Sequence, residues 1–268
     1  MLRLENINFS YDEDTKALKD VTLNIEKGKK TLFLGENGSG KSTLFLIMNG
    51  LLQAQKGDIY FEGEKIKHKK KDLEDLRRKV GIIFQDPEIQ IFAPLVFQEV
   101  AYGPENLGYS KEKVETAVNK AMEEINITDL KDRPCHHLSY GQKKRVSIAA
   151  ITAMEPELLI LDEPTTWLDS KNTKRVAEIL DNLSKAGKTL LVSTHDTDFA
   201  YEFADYIYVL EKGRIVRQGS RDEVFEDFEF LKKLNLNIPN VLKIKSYLKY
   251  KNLDENDYYK FLEEKNLL

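Results

Sequence analysis

The octapeptide GENGSGKS, residues 35–42, follows the short apolar run TLFLG and opens the helix-prone stretch KSTLFLIMNGLL. Glycines at 35, 38 and 40 let successive backbone amides close around phosphate oxygens, and the N-terminus of the helix behind them adds partial positive charge. The spacing fits G-x-x-x-x-G-K-[ST] between a strand and a helix. Gly35, Glu36, Asn37, Gly38, Ser39, Gly40, Lys41, Ser42 and Thr43 are therefore the expected cradle for a nucleotide. Lys41 is placed to reach the β- and γ-phosphates, and the Ser42 hydroxyl is suited to ligate Mg²⁺.

A second group, LLILDEP at residues 158–164, is an apolar run that delivers two acids to the C-terminal end of a strand. Ligands of open parallel sheets sit at that edge. Asp162 is suited to hold Mg²⁺ through its shell, and Glu163 to polarise an attacking water as general base. Alone, the pair reads equally well as a strand ending in solvated acids before a proline turn. Beside the phosphate loop it points to ATP and Mg²⁺ as the bound species.

These groups need a sheet to hold them, and the surrounding pattern supplies one. Strand-like segments at 2–9 and 20–26 flank the turn-rich DEDT. DIYF reads as a strand, Glu64 to Lys71 as a polar, basic stretch leading into a short helix that ends at Lys79, and VGIIF (80–84) as a further strand. A helix is expected from Ser110 to Asn126, with Ser110 as N-cap and Val114, Ala117, Val118, Ala121, Met122 and Ile125 on one face. Another runs from Tyr140 to Met154. LLILD (158–162) and TLLVST (189–194) bracket a helix from Asn172 to Ala186, and this strand-helix-strand alternation favours a parallel sheet. Beyond Phe225 the chain turns helical in pattern and rich in Lys, Glu, Leu and Tyr.

Composition narrows the setting. The 268 residues are 41% hydrophobic, enough for one large domain with an appendage, and the net charge of −4 does not suggest binding to nucleic acid through overall charge. Cys135 is the single cysteine, so no internal disulfide forms and a cytosolic setting is expected. The chain starts with charged residues, and runs such as LLIL fall far short of a bilayer span, so no targeting or membrane segment is expected.

LSYGQ at 138–142 makes the reading specific, because the sequence here resembles the nucleotide-binding subunits of the ABC superfamily, whose signature is usually LSGGQ. The resemblance implies that the signature serine and glycine, Ser139 and Gly141, contact the γ-phosphate of a nucleotide held by the opposite subunit, with Gln142 matching the motif beside them. Tyr140 stands where the family has its first glycine. By the same resemblance Tyr11 is the aromatic residue that stacks on adenine. Gln85 links Mg²⁺ and the attacking water to the transmembrane partner, and His195 contacts the γ-phosphate. Asp169, in TTWLD, lies in the loop that crosses the dimer interface, where Trp167 is uncommon. The implied architecture is an α/β phosphate-loop ATPase core with a mainly parallel sheet (residues 1–225). It carries an antiparallel β subdomain near the N-terminus, a helical signature subdomain at about 86–150, and a helical C-terminal region at 226–268.

Residues 84–108 and 136–154 narrow the resemblance to the ATPases of energy-coupling-factor importers, especially the cobalt and nickel type. That implies a second ATPase subunit, identical or paralogous, a transmembrane coupling subunit and a substrate-binding membrane subunit, with the chain at the cytoplasmic face of the cell membrane. Asp86 and Glu88 then become candidates to meet basic residues on a coupling helix, or are simply solvated. Vitamin importers of the same group use similar ATPases and stand as the alternative cargo reading. ABC ATPases that act on nucleic acid or ribosomes usually add a long coiled coil or a second ATPase domain, and neither is found here. Three other features have plain readings. Cys135, His136 and His137 suggest a metal site, but consecutive residues rarely converge on one ion. KIKHKKK (65–71) reads as a loop tip of solvated lysines, and VLKIKSYLKYK (241–251) as a packed helix with a basic outer face rather than a membrane anchor.

Overall fold

The computed structural model describes residues 1–13 and 15–251. Its strands are β1 (Leu2–Ser10), β2 (Lys16–Ile25), β3 (Lys30–Leu34), β4 (Lys56–Phe61), β5 (Glu64–Lys65), β6 (Val80–Ile83), β7 (Leu158–Leu161), β8 (Thr189–Thr194), β9 (Tyr206–Glu211) and β10 (Arg214–Ser220). Its helices are α1 (Lys41–Met48), α2 (Lys70–Lys79), α3 (Val96–Asn106), α4 (Lys111–Glu124), α5 (Tyr140–Thr152), α6 (Ser170–Lys185), α7 (Thr197–Phe203), α8 (Arg221–Phe225), α9 (Phe228–Lys233) and α10 (Asn240–Lys251).

Six strands form the central sheet in the order β10-β9-β3-β8-β7-β6, all parallel except β10, which turns back antiparallel on β9. Alternate residues of each strand enter two different cores. Leu32, Leu34, Leu159, Leu161, Val192 and Val209 pack toward α4 to α7, whereas Phe33, Leu158, Ile160, Leu191 and Leu210 pack toward α1 and a second sheet. Burial on both faces is why these strands read as unbroken apolar runs. The second sheet is antiparallel, in the order β2-β1-β4-β5. The α/β class, the parallel core and the antiparallel sheet near the N-terminus agree with the sequence reading.

Ser110 caps α4 as expected, accepting a hydrogen bond from the Lys113 backbone N–H at 3.3 Å. Two parts of the fold were not foreseen. α3 is punctuated by Gly103 and Pro104, residues that argue against a helix interior, yet a side chain on Gly103 would meet Met154 of the neighbouring α5 segment at 2.6 Å. A larger residue there would require the Met154 side chain to move. The β9–β10 hairpin was also unassigned. Its turn, Lys212 and Gly213, has positive φ at both positions, as a tight two-residue hairpin connection requires.

α9 and α10 fall within the C-terminal region read as helical, and residues 252–268 of that region lie outside the described residues. In the basic stretch, Lys65 pairs with Asp58 at 2.7 Å. Among the described residues no helix is long and apolar enough to cross a membrane.

Candidate nucleotide site

The phosphate loop leaves β3 at Leu34 and enters α1 at Lys41. Gly40 has φ +108°, and a Cβ there would lie 2.7 Å from the Ala17 carbonyl oxygen of β2, so only glycine fits this corner without displacing backbone. Gly213 donates its N–H to the Ser39 carbonyl (2.9 Å), and Lys19 donates to the Gly213 carbonyl (2.8 Å). The loop is thereby pinned between both sheets.

Lys41 is 5% exposed, and its Nζ donates to the carbonyls of Gly35 (2.6 Å) and Glu36 (3.1 Å). Burial lowers its pKa, and the nearby Glu163 and Asp162 oppose that shift. Ser42 is exposed at the start of α1. Thr43 accepts or donates a 3.0 Å hydrogen bond with the Tyr11 hydroxyl, and the Tyr11 ring, 57% exposed, packs edge-on against Phe9. The aromatic side chain is therefore held at the mouth of the loop with most of its surface open.

Asp162 and Glu163 follow directly on β7, both buried. The Asp162 N–H donates to the Ile83 carbonyl at the end of β6 (2.9 Å), which brings the Gln85 segment alongside. Ser193, fully buried on β8, joins the acids: its hydroxyl donates to Asp162 Oδ1 and accepts from the Glu163 N–H at 2.9 Å. Glu163 has φ +44°, an uncommon backbone for a residue with a side chain, of the kind that clusters at functional sites. Its Oε2 is held by the Thr166 hydroxyl (3.0 Å) and by His195 Nδ1 (2.9 Å). Its Oε1 is buried with no hydrogen-bond partner among the described residues and lies 3.8 Å from Lys41 Nζ. A buried carboxylate oxygen left open beside a phosphate loop is placed to accept from an incoming water or phosphate hydroxyl.

The structure thus gathers residues 35–43, Asp162, Glu163 and His195 at one edge of the sheet, with Tyr11 at its rim and Gln85 beside it. The signature residues are not part of that group. Ser139 and Gln142 form a capping box on α5, with the Ser139 N–H donating to Gln142 Oε1 (2.9 Å) and the Gln142 N–H to Ser139 Oγ (3.4 Å). Gly141 lies against α6, where a Cβ would meet the Asn172 side chain at 2.7 Å. Asp169 caps α6 through Asn172 (2.7 and 2.9 Å). The Tyr140 side chain turns from the helix terminus toward the Gln85 carbonyl (3.4 Å) and the Trp167 ring (5.9 Å between centroids).

Other candidates take definite places. Asp86 accepts from the Glu88 N–H (2.9 Å) and caps a short turn, while Glu88 pairs with Lys143 at 2.6 Å. A basic partner would have to compete with Lys143 for Glu88. Cys135 faces the helical core, 4% exposed, and burial pushes its thiol up to about 11. His136 and His137 pack ring to ring, 4.2 Å between centroids. Among the described residues no group of three His, Cys, Asp or Glu is placed to hold a metal ion. A groove of about 610 Å³ lies between α2, α3 and α5, lined by Arg77, Arg78, Phe84, Phe92, Tyr102 and Met154. Phe92 and Tyr102, exposed and packed edge-on at 4.6 Å, form part of its wall.

The sequence reading missed Ser193 and Lys144. Ser193 is a polar residue inside an apolar strand, a signal in itself. Lys144 is fully buried on α5, its pKa pushed down to about 8 by burial. Its spacing of three from Gly141 and four from Ile148 already sets it on the buried face of that helix.

The comparisons with known proteins agree with this geometry. The family model for ABC transporters matches residues 18–166, more than half of the chain. An ABC transporter ATP-binding homologue in Methanosarcina mazei is 48% identical over 244 residues, covering 91% of this chain and 54% of that one. The energy-coupling factor transporter ATP-binding protein EcfA of Methanocaldococcus jannaschii is 44% identical, covering 90% and 86%. The structure of cbiO1 from Clostridium perfringens, part of the ABC transporter complex cbiONQ, superposes with TM-score 0.79 at 39% identity, covering 91% and 98%. The chain spans about half the length of the first of these and most of the other two. With the phosphate loop, the paired acids and the capped signature helix in place, the chain belongs to the ABC transporter family and is similar to the ATP-binding proteins of energy-coupling-factor transporters.

Proposed function

We propose that this chain hydrolyses Mg-ATP between two ATPase subunits and so powers an energy-coupling-factor type importer whose cargo is cobalt or nickel. The observation that carries the ATPase chemistry is the open, buried Oε1 of Glu163 facing Lys41 across the phosphate loop. Lys41 holds the β- and γ-phosphates, the amides of 35–40 wrap them, and Tyr11 stacks on the adenine. Glu163 takes the proton of the attacking water at Oε1, while His195 and Thr166 keep Oε2 in place. Ser42, Asp162 and Gln85 present the hydroxyl, carboxylate and amide oxygens that a hard divalent cation takes, and they would hold Mg²⁺, which supplies charge neutralisation at the phosphates.

The second subunit follows from where the signature sits. Ser139, Gly141 and Gln142 cap α5 apart from this chain's own phosphate loop. They therefore serve the nucleotide of a second copy or a paralogue, with Asp169 and Trp167 at the same boundary. ATP closes the pair, and hydrolysis reopens it. The groove of exposed Phe92 and Tyr102, rimmed by Arg77 and Arg78, takes a helix of the transmembrane coupling subunit at the cytoplasmic face of the membrane. Residues 1–225 form the ATPase domain, with a helical subdomain at about 86–150, and the C-terminal region begins at 226 with α9 and α10.

The cargo reading is supported by the resemblance of residues 84–108 and 136–154 to cobalt and nickel importers. Cells carrying the complete transporter should accumulate radiolabelled Co²⁺ or Ni²⁺, and Lys41→Ala should abolish the uptake. Uptake of a vitamin and of neither metal would overturn the cargo and leave the ATPase chemistry standing.

A further inference from the structure

Lys144 sits on α5 five residues beyond Ser139, and its side chain is fully buried. Its ammonium donates to the Gln85 carbonyl at 2.6 Å and to the Phe84 carbonyl at 3.1 Å. Tyr140, one turn earlier on α5, donates its hydroxyl to the same Gln85 oxygen at 3.4 Å. Phe84 and Gln85 are the residues at which the chain leaves β6, next to the backbone contact between Ile83 and Asp162. The Tyr140 ring also meets Trp167, in the loop that follows Glu163. One helical turn thus holds both the glutamine segment and the loop after the acids.

Packing alone does not call for a lysine here. A buried ammonium is unfavourable unless its partners compensate, and methionine would fill the same length of space without the charge. What the charge adds is a pair of directed bonds to one stretch of backbone. The N-terminus of α5 is also the part that faces the second subunit's nucleotide in the function proposed above, so movement of this helix on closure is transmitted directly to Gln85.

We propose that Lys144 is a positioning residue for ATP hydrolysis: its ammonium, aided by the Tyr140 hydroxyl, ties the Gln85 backbone to the signature helix, so that the Gln85 side chain reaches the Mg²⁺ and water only when α5 is seated. Each nucleotide site then senses, through its own glutamine, whether the chain's signature helix has engaged the other site. The proposal rests on the role given to Gln85.

A double-mutant cycle in the assembled transporter tests it. Lys144→Met should lower kcat about 5- to 50-fold with KM for ATP within about twofold, because the phosphate loop is untouched. Gln85→Ala should also lower kcat, and the double variant should be no more than about twofold slower than Gln85→Ala, since both changes remove one function. If the two losses multiply, the tie is not what Lys144 provides and the proposal fails while the role of Gln85 stands. If Gln85→Ala hydrolyses ATP at the wild-type rate, the role of Gln85 fails and takes the proposal with it. Should Lys144→Met not fold, Tyr140→Phe keeps the ring against Trp167 and removes only the hydroxyl. It should lower kcat about two- to fivefold in the wild type and have no effect in Gln85→Ala, as expected for one weak hydrogen bond in a shared network. An unchanged kcat in Tyr140→Phe, or an equal loss in both backgrounds, would then overturn the proposal.

Discussion

Lys41 Nζ lies 3.8 Å from Glu163 Oε1, too far for a hydrogen bond, and spends its donors on the carbonyls of Gly35 and Glu36 instead. The two opposite charges lie within ion-pair distance of each other at the base of the phosphate loop. Phosphate oxygens arriving in the loop compete with those carbonyls for the ammonium, and Oε1 remains free to accept a proton. Through these two bonds the lysine ties the loop to its own backbone.

Glu163→Gln preserves shape and the hydrogen bond from Thr166 but removes the proton acceptor. Mg-ATP binding should be retained while hydrolysis falls about 10² to 10⁴-fold, the span expected for loss of general-base catalysis. The variant should accumulate as an ATP-bound dimer, visible by size-exclusion chromatography with retained nucleotide. Turnover at the wild-type rate would remove Glu163 from that role.

Ser193→Ala breaks a fully buried link, since the hydroxyl serves Asp162 and the Glu163 N–H together. Leaving those groups unsatisfied should cost about 1–3 kcal/mol, read as a lower urea midpoint at unchanged slope. Because Asp162 also loses its fixed orientation, the Mg²⁺ concentration for half-maximal ATPase should rise. Wild-type stability and Mg²⁺ dependence together would show that the hydroxyl is dispensable.

How far the sequence revealed this site depends on which forces act locally. The phosphate loop was legible because amide cradle, glycine and helix start are contiguous, and Asp162 and Glu163 because an apolar strand delivers them. Lys144 and Ser193 were not, since their partners lie 59 and 30 residues away and only the parallel sheet brings them together. α3 was hidden for a different reason: Gly103 and Pro104 look like helix breakers, and the packing of Gly103 against Met154 exists only in the folded chain. The place of the signature could be read from LSYGQ by resemblance, but its internal capping box follows from Ser139 and Gln142 themselves.

Cys135 offers a probe of the helical region that needs no substitution. With its thiol pushed up to about 11 by burial, the side chain is almost wholly protonated at pH 8. Alkylation by iodoacetamide should be at least about 100-fold slower in the native chain than in urea, because it requires both opening of the core and thiolate formation. Labelling at the unfolded rate would mean that the packing around Cys135 is open in solution.

The shared-site arrangement makes the sharpest demand, because it assigns Ser139 to a nucleotide that its own chain does not hold. Ser139 caps α5 and makes its hydrogen bonds with Gln142, so replacing it leaves Lys41, Asp162 and Glu163 in their places. Ser139→Arg puts bulk and charge on the face proposed to meet the second subunit and removes the cap, at a stability loss of about 1 kcal/mol that the fold can absorb. Coupled hydrolysis should be lost in Ser139→Arg alone and in Lys41→Ala alone. In a mixture, a Ser139→Arg chain keeps an intact phosphate loop and a Lys41→Ala chain keeps an intact signature, so each mixed dimer contains one complete composite site. ATPase activity should therefore reappear on mixing, with at most one working site per mixed dimer, and should depend on the concentration of both chains. Normal hydrolysis by Ser139→Arg at every protein concentration would sink the model, because a site complete within one chain would not notice the arginine.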